Sequence, residues 1–310
     1  MRGASVSIII CTLNRADRLR QTLPLFDHLD LTQEKSIELI VVDNGSTDHT
    51  RQVVESFNSS KFRVRYFAET ARGLSCARNT GLALATGQWI AFTDDDVEVT
   101  PTWLTELLAP IRAGVADATT GRIELADNLK KPWFKPLHRQ HLADSTDGNP
   151  RPMLIGASMA FDRRVLLPEG NFDPHLGSGA SGAGEDSAFS EMLRGRGFRL
   201  LYVEDAVVIH HPGINRTTRA SFLKSAGAWG RTVGFTVWRT QADQIRFPTL
   251  RLLSCRLRLL AWRAAHLNIV LKGQEIPERE MVLVQWVHHY QEFATQKRRA
   301  ASSKTQRRQR

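Results

Sequence analysis

Over its first hundred residues the chain alternates two kinds of apolar spacing. Short β-branched or apolar runs occur at Val6–Cys11, Ile37–Val42, Phe62–Phe67 and Trp89–Phe92, each of strand length and composition. Helical patterning fills the stretches between them, about Asp17–His28, Thr47–Phe57 and Ser75–Ala85. This alternation predicts parallel strands joined by crossover helices. Beyond Pro101 the pattern predicts a helix to about Ile111, strands near Ala118–Glu124 and Leu154–Phe161, and a helix over Glu185–Arg196. Two short strands follow, Leu200–Val203 and Ala206–Ile209. The polar stretch Leu125–Arg151 reads as a long surface loop, and Gly177–Gly184 as a mobile Gly-rich one.

From Thr217 onward the spacing is helical. Leu250, Leu253, Leu257, Leu260, Ala264, Leu267 and Leu271 recur at alternating steps of three and four, flanked by Arg251, Arg256, Arg258 and Arg263. Packing onto the preceding domain is the expectation for this stripe, and a membrane interface through 249–272 is the second reading. The predicted organisation is an α/β domain over 1–215, with a mostly parallel, Rossmann-like central sheet flanked by helices. A helical extension over 216–296 follows, then a basic tail, 297–310, expected to be disordered.

A composition of 42% apolar and 24% charged residues excludes global disorder. The net charge of +10 is partly local, because Lys297, Arg298, Arg299, Lys304, Arg307, Arg308 and Arg310 crowd the end of the chain. Such a segment is a solvated end or a contact for anionic lipid. No nucleic-acid-binding motif accompanies it. Three scattered cysteines and no signal-like segment ahead of Val6 give the expectation of a cytoplasmic location, with peripheral contact at the inner face of the plasma membrane the second reading, resting on the arginine-flanked stripe and the basic tail.

Polar clusters follow three of the strands: Thr12-Leu13-Asn14-Arg15, Asp43-Asn44-Gly45 and Asp94-Asp95-Asp96. In an open α/β sheet such strand ends share one ligand-binding edge. Adjacent carboxylates repel one another unless a cation or hydrogen bonds offset them, and hard oxygens suit Mg²⁺ or Mn²⁺. An acidic helix start near Pro101 accounts equally for the triplet taken alone. Glu185-Asp186, after the Gly-rich stretch, likewise suits either a helix N-terminus or proton transfer. In His210-His211 the two side chains should point to opposite sides of a strand.

The run from Gly73 through Ala77-Arg78-Asn79 to Thr93-Asp94-Asp95-Asp96 resembles the donor-site segment of family 2 glycosyltransferases, enzymes of the GT-A fold. Ser7-Ile-Ile-Ile-Cys-Thr-Leu-Asn-Arg15 and Glu38-Leu-Ile-Val-Val-Asp-Asn-Gly-Ser-Thr-Asp48 are similar to the family's first two strand segments. The resemblance implies a nucleotide-binding half (1–100) and an acceptor-binding half (101–215). Thr12, Asn14, Arg15 and Asp43 would border the base, Arg78 would approach the base or diphosphate, and Asp95 would meet the ribose. Asp96 would bind Mn²⁺ or Mg²⁺, with Asp94 a third acidic member. His210, six residues before Arg216, would be a second metal ligand. Asp186 would be the general base and Glu185 its neighbour in acceptor binding. Gly156–Arg164 would lie under the donor sugar and acceptor, with Ser158 where many relatives have Asn.

The implied activity is inverting transfer of one sugar from a nucleoside-diphosphate sugar, UDP-linked by preference, to a hydroxyl of a saccharide or lipid-linked acceptor. Surface polysaccharide or glycolipid synthesis is the implied setting. The Gln-x-x-Arg-Trp motif of processive synthases is absent. A dehydrogenase would need Gly-x-Gly-x-x-Gly after the first strand, and a nucleotidyltransferase a Gly-rich, Arg-containing loop there. Cys11-Thr-Leu-Asn-Arg-Ala16 is neither. A catalytically dead binding module is the rival from another class.

Overall fold

A computed structural model describes residues 4–34, 36–149, 151–168, 170–273 and 275–308, with side chains described through 302. The chain runs β1 (Val6–Thr12), α1 (Ala16–Thr22), β2 (Ile37–Asp43), α2 (Thr50–Ser56), β3 (Arg63–Ala68), α3 (Leu74–Leu84), β4 (Trp89–Asp94), β5 (Val97–Val99) and α4 (Trp103–Arg112). It continues through β6 (Ala118–Leu125), α5 (Pro136–His141), β7 (Ser158–Asp162), α6 (Glu185–Gly195) and β8 (Leu200–His210). Four further helices follow: α7 (Arg219–Gln241), α8 (Pro248–Ala265), α9 (Leu267–Lys272) and α10 (Glu278–Arg308).

One unit comprises 4–130, 142–179 and 185–212 of the described chain and holds the whole sheet, ordered β3-β2-β1-β4-β7-β6-β8-β5. β3, β2, β1 and β4 are mutually parallel, whereas β7 and β5 run antiparallel to their neighbours. Alternate residues of β1 and β2 point to opposite faces. Ile8, Ile10, Leu39 and Val41 join one core with Leu19, Phe26, Trp103 and Leu107. Ile9, Ile40 and Val42 join the other with Ala77, Phe92, Phe161, Phe172 and Phe189. Both faces are thus covered, as a parallel sheet requires.

Several boundaries differ from those expected. Pro24 lacks an N–H, so α1 gives way to a 3-10 turn over Leu23–His28. Leu200–Val203 and Ala206–Ile209 are one strand, β8, whose pairing with β6 shifts register between Gly121 and Arg122. Leu154–Gly156 is not strand; β7 begins at Ser158.

The second unit gathers 131–141, 180–184 and the described residues from 213 onward. The expected surface loop therefore carries α5, and Trp133, Phe134 and His138 pack edge and face around Phe222 of α7. Glu280 of α10 is fully buried and accepts from Arg219 of α7 at 2.5 Å and from Arg263 of α8 at 2.9 Å. One carboxylate thereby ties three helices. α10 stays helical through Arg308, so the tail expected to be disordered is helix over 297–308, and 309–310 lie outside the described residues. The leucine stripe, expected to be covered, is exposed: Leu250, Leu253, Leu257, Leu260, Leu267 and Leu271 are 53–75% accessible.

Candidate active site

Parallel register sets Thr12 beside Asp43 and Cys11 beside Asp94 at the ends of β1, β2 and β4. Buried Thr12 donates through its hydroxyl to Asp95 Oδ2 at 2.6 Å, and Thr22 Oγ1 donates to the Asp95 carbonyl at 2.9 Å. Burial, with the charge of Asp96 close by, pushes Asp95 up to about 7 against the pull of Thr12 and Arg15. Asn14 adopts left-handed backbone, φ 53°. Its N–H donates to Ser46 Oγ at 2.7 Å and its Oδ1 accepts from the Thr47 N–H at 2.8 Å, clasping the first loop to the second. Asp43 is buried, accepting from the Ser46 N–H at 2.8 Å and from the Tyr66 hydroxyl at 2.9 Å. Asn14 and Asp43, expected to face a base, thus also shape the loops that would border one.

A short antiparallel pairing builds the other side. Val97 of β5 lies opposite His210 of β8, and the His211 N–H donates to the Asp96 carbonyl at 2.8 Å. His210 Nε2 then stands 3.4 Å from Asp96 Oδ1, and Arg15 lies 3.6 Å from Asp96 Oδ2. His211 diverges to Glu98, at 3.3 Å. The two histidines part as strand geometry demands, and the one expected in the site is the one that reaches Asp96. Burial works against the charged form of His210, yet the hydrogen bond and charge of Asp96, with Asp94 behind it, raise its pKa.

Arg78, expected to approach the base or diphosphate, is 3% exposed and donates to Glu185 Oε1 at 2.7 Å. Its guanidinium lies 5.4 Å from the Phe172 ring centre, and a Cβ at Gly156 would collide with it. Burial opposes its charge, but Glu185, Asp186 and Asp94 together raise its pKa further. Glu185, expected beside the acceptor, is buried and held in this pair. Asp186 beside it is half-buried, its Oδ2 accepting from the Gly156 N–H at 3.3 Å. Burial and the neighbouring Glu185 push Asp186 up to about 6. Asp94 is raised by burial, with Arg78 opposing and Asp96 and Glu185 adding, so it couples the two halves electrostatically.

Sequence reasoning missed the Thr12–Asp95 and Arg78–Glu185 links, whose partners lie 83 and 107 residues apart. Ser158 is fully buried and accepts from the Trp103 indole N–H at 2.9 Å, a partner that sequence reasoning did not supply. Arg216 belongs to the second unit.

Among the described residues no three His, Cys, Asp or Glu side chains are grouped as a metal cage. Asp96 and His210 offer two donors. The His210 Nδ1–H donates to the Leu142 carbonyl at 2.8 Å, which turns Nε2 toward Asp96 and leaves that nitrogen as the one a cation could displace a proton from. That orientation is the one a metal-ligating imidazole takes. Mn²⁺ and Mg²⁺ complete such partial sets with phosphate oxygens and water, so the residues fit.

Residues 7–167 match the family described as Glycosyl transferase family 2, just over half of the chain. The chain belongs to this family. It is similar to Glycosyltransferase AglE of Haloferax volcanii, 30% identical over 209 residues and covering 66% of each chain. It is also similar to the Campylobacter jejuni GalNAc(5)-diNAcBac-PP-undecaprenol beta-1,3-glucosyltransferase, 31% identical over 129 residues and covering 41% of each. Of Glycosyltransferase GlyA of Streptococcus pneumoniae it spans only 16%, so the chain covers less than two-thirds of several curated relatives. Among solved structures, the mannosyltransferase PcManGT from Pyrobaculum calidifontis in complex with GDP-Man and Mn²⁺ has TM-score 0.60 at 19% identity, over 94% of this chain and 87% of that one. S. aureus TarS 1–349 in complex with UDP-GlcNAc has TM-score 0.52 at 17% identity, over 92% and 79%. These likenesses show the fold: a curled central sheet flanked by helices, of GT-A type.

Proposed function

We propose that the chain transfers a single sugar from a nucleoside-diphosphate sugar to a hydroxyl of a saccharide or lipid-linked acceptor, with inversion and with Mn²⁺ or Mg²⁺ bound. The donor would occupy the half 1–100 and the acceptor the half 101–215. The observation that carries this reading is the division of labour among the carboxylates. Asp96 meets His210, Asp95 is held by Thr12, Glu185 is neutralised by Arg78, and Asp186, at the start of α6, combines partial exposure with a raised pKa, as Asp94 does at the end of β4 on the donor side. A carboxylate poised in this way can accept a proton near neutral pH.

In the reaction the Asp186 carboxylate takes the acceptor hydroxyl proton. The acceptor oxygen bonds to the anomeric carbon while the bond from that carbon to the diphosphate oxygen breaks, and the electron pair leaves with the nucleoside diphosphate. Glu185 is locked to Arg78 and so offers no second nucleophile, which supports one displacement and inversion. A bound divalent cation would offset charge on the leaving diphosphate. Thr12, Arg15 and Asp95 would orient the donor. UDP is the favoured nucleotide, although the neighbouring folds were captured with UDP- and GDP-linked sugars alike. The undecaprenol-linked substrate in the name of one relative supports a lipid-linked acceptor and a cell-envelope setting.

The test is nucleoside-diphosphate release from UDP-, GDP- and dTDP-sugars with Mn²⁺, Mg²⁺ or EDTA. Slow metal-dependent release from one donor is expected. Absence of both release and metal-dependent donor binding across the panel would overturn the proposal.

A further inference from the structure

α8 is apolar on two faces, and the structure covers only one of them. Leu252, Cys255, Leu259 and Trp262 are partly buried on the side that packs against α10, where Arg263 reaches Glu280 and Arg251 reaches the Tyr290 hydroxyl. The other side carries Leu250, Leu253, Leu257 and Leu260, continued past the break at His266 by Leu267 and Leu271 of α9, all exposed. Phe247, 69% exposed, begins the row. Seven of the twelve exposed large apolar side chains among the described residues thus fall within 247–271. An apolar row of that extent on a folded chain marks a contact surface.

Charge decides what covers it. Between 244 and 273 the sequence has six Lys or Arg residues and no Asp or Glu. Arg246, Arg256, Arg258 and Lys272 are exposed along the same segment. The three-four spacing would also suit a coiled coil with a second copy. Self-pairing, however, would bring these cations together with no carboxylate in the segment to offset them. An anionic lipid surface satisfies both features, since leucines enter the acyl boundary while arginines meet headgroup phosphates. No described helix is long and apolar enough to cross a membrane, so the segment would lie along the surface.

We infer that α8 and α9 form an interfacial membrane-docking surface for anionic phospholipid, with the row from Leu250 to Leu271 inserted and Arg246, Arg256, Arg258 and Lys272 at the headgroups. Docking is independent of sugar transfer and can be read without donor.

The experiment is flotation of the full chain with vesicles of phosphatidylcholine alone or containing about one-third phosphatidylglycerol. Binding to the anionic vesicles should exceed binding to neutral ones by on the order of a hundred-fold at low salt. The triple variant Leu253→Asn, Leu257→Asn, Leu260→Asn alters exposed positions only, and should lose on the order of ten- to a hundred-fold in affinity with unchanged circular dichroism. Arg256→Gln with Arg258→Gln should weaken anionic binding without changing the neutral baseline. No flotation of the full chain would overturn the inference. So would full binding by both variants, which would place the contact elsewhere, for instance at 297–310. Sedimentation showing a dimer that the leucine variant dissociates, with no vesicle binding, would assign the row to a second copy instead.

Discussion

At the scale of single residues, Asp186 and the Arg78–Glu185 pair make opposite predictions. Asp186→Asn removes the proton acceptor and should lower the transfer rate by about a hundred- to ten-thousand-fold while leaving donor affinity unchanged. With the Asp186 pKa raised to about 6, its base form is lost as pH falls through that value, so kcat/KM at saturating Mn²⁺ should drop on the acid side. The sign for stability is reversed. A carboxyl whose folded pKa exceeds its unfolded one favours the fold when protonated, and that stabilisation fades as pH rises from about 4 to about 6. A flat acid limb in the kcat/KM profile would remove Asp186 from proton transfer. Arg78→Met, by contrast, leaves Glu185 buried without its partner and should cost about 3–5 kcal/mol of stability, read by denaturant unfolding. The acids of both clusters were legible because their chemistry is contiguous in sequence. Their pairings were not, because Arg78 and Glu185 meet only after the sheet and α6 have packed.

At the scale of elements, the parallel half was the most legible part, since β1, β2, β3 and β4 each announce themselves by apolar runs bounded by polar strand ends. β5 has three residues and no pattern of its own; it exists because β8 offers it an edge, and it places Asp96 near His210. The pairing of α7 with α10 was equally hidden. Gly230 and Gly234 let α7 approach so closely that a Cβ at either would collide with the carbonyls of Gln285 or His289 on α10. Helix propensity alone would favour Ala there, but backbone atoms cannot move aside as a side chain can. Gly230→Ala should therefore destabilise the chain by about 1–3 kcal/mol in denaturant unfolding. A neutral or stabilising result would mean the two helices can separate without cost. The leucine stripe teaches the converse: its period was plain, but periodicity marks a face without saying what covers it.

At the scale of the whole molecule, the sign of the charge changes between surface and crevice. The chain is +10 overall, yet Asp94, Asp95, Asp96, Glu185 and Asp186 converge on Arg78, Arg15 and His210. A diphosphate drawn in by the global field would meet a local excess of carboxylates. The two contributions separate by their response to salt, because exposed charges are screened beyond about 8 Å at physiological ionic strength whereas buried groups are screened far less. Donor affinity should fall as salt rises, while the ratio of affinity with Mn²⁺ to affinity with EDTA should persist. Asp96→Asn should bring that ratio down by about an order of magnitude or more at every salt concentration, because it removes a proposed ligand. Titration calorimetry with a nucleoside diphosphate at low and high salt measures both. A ratio that collapses with salt in the unmodified chain would mean the cation acts by loose screening at the surface, and would take Asp96 and His210 out of the metal site.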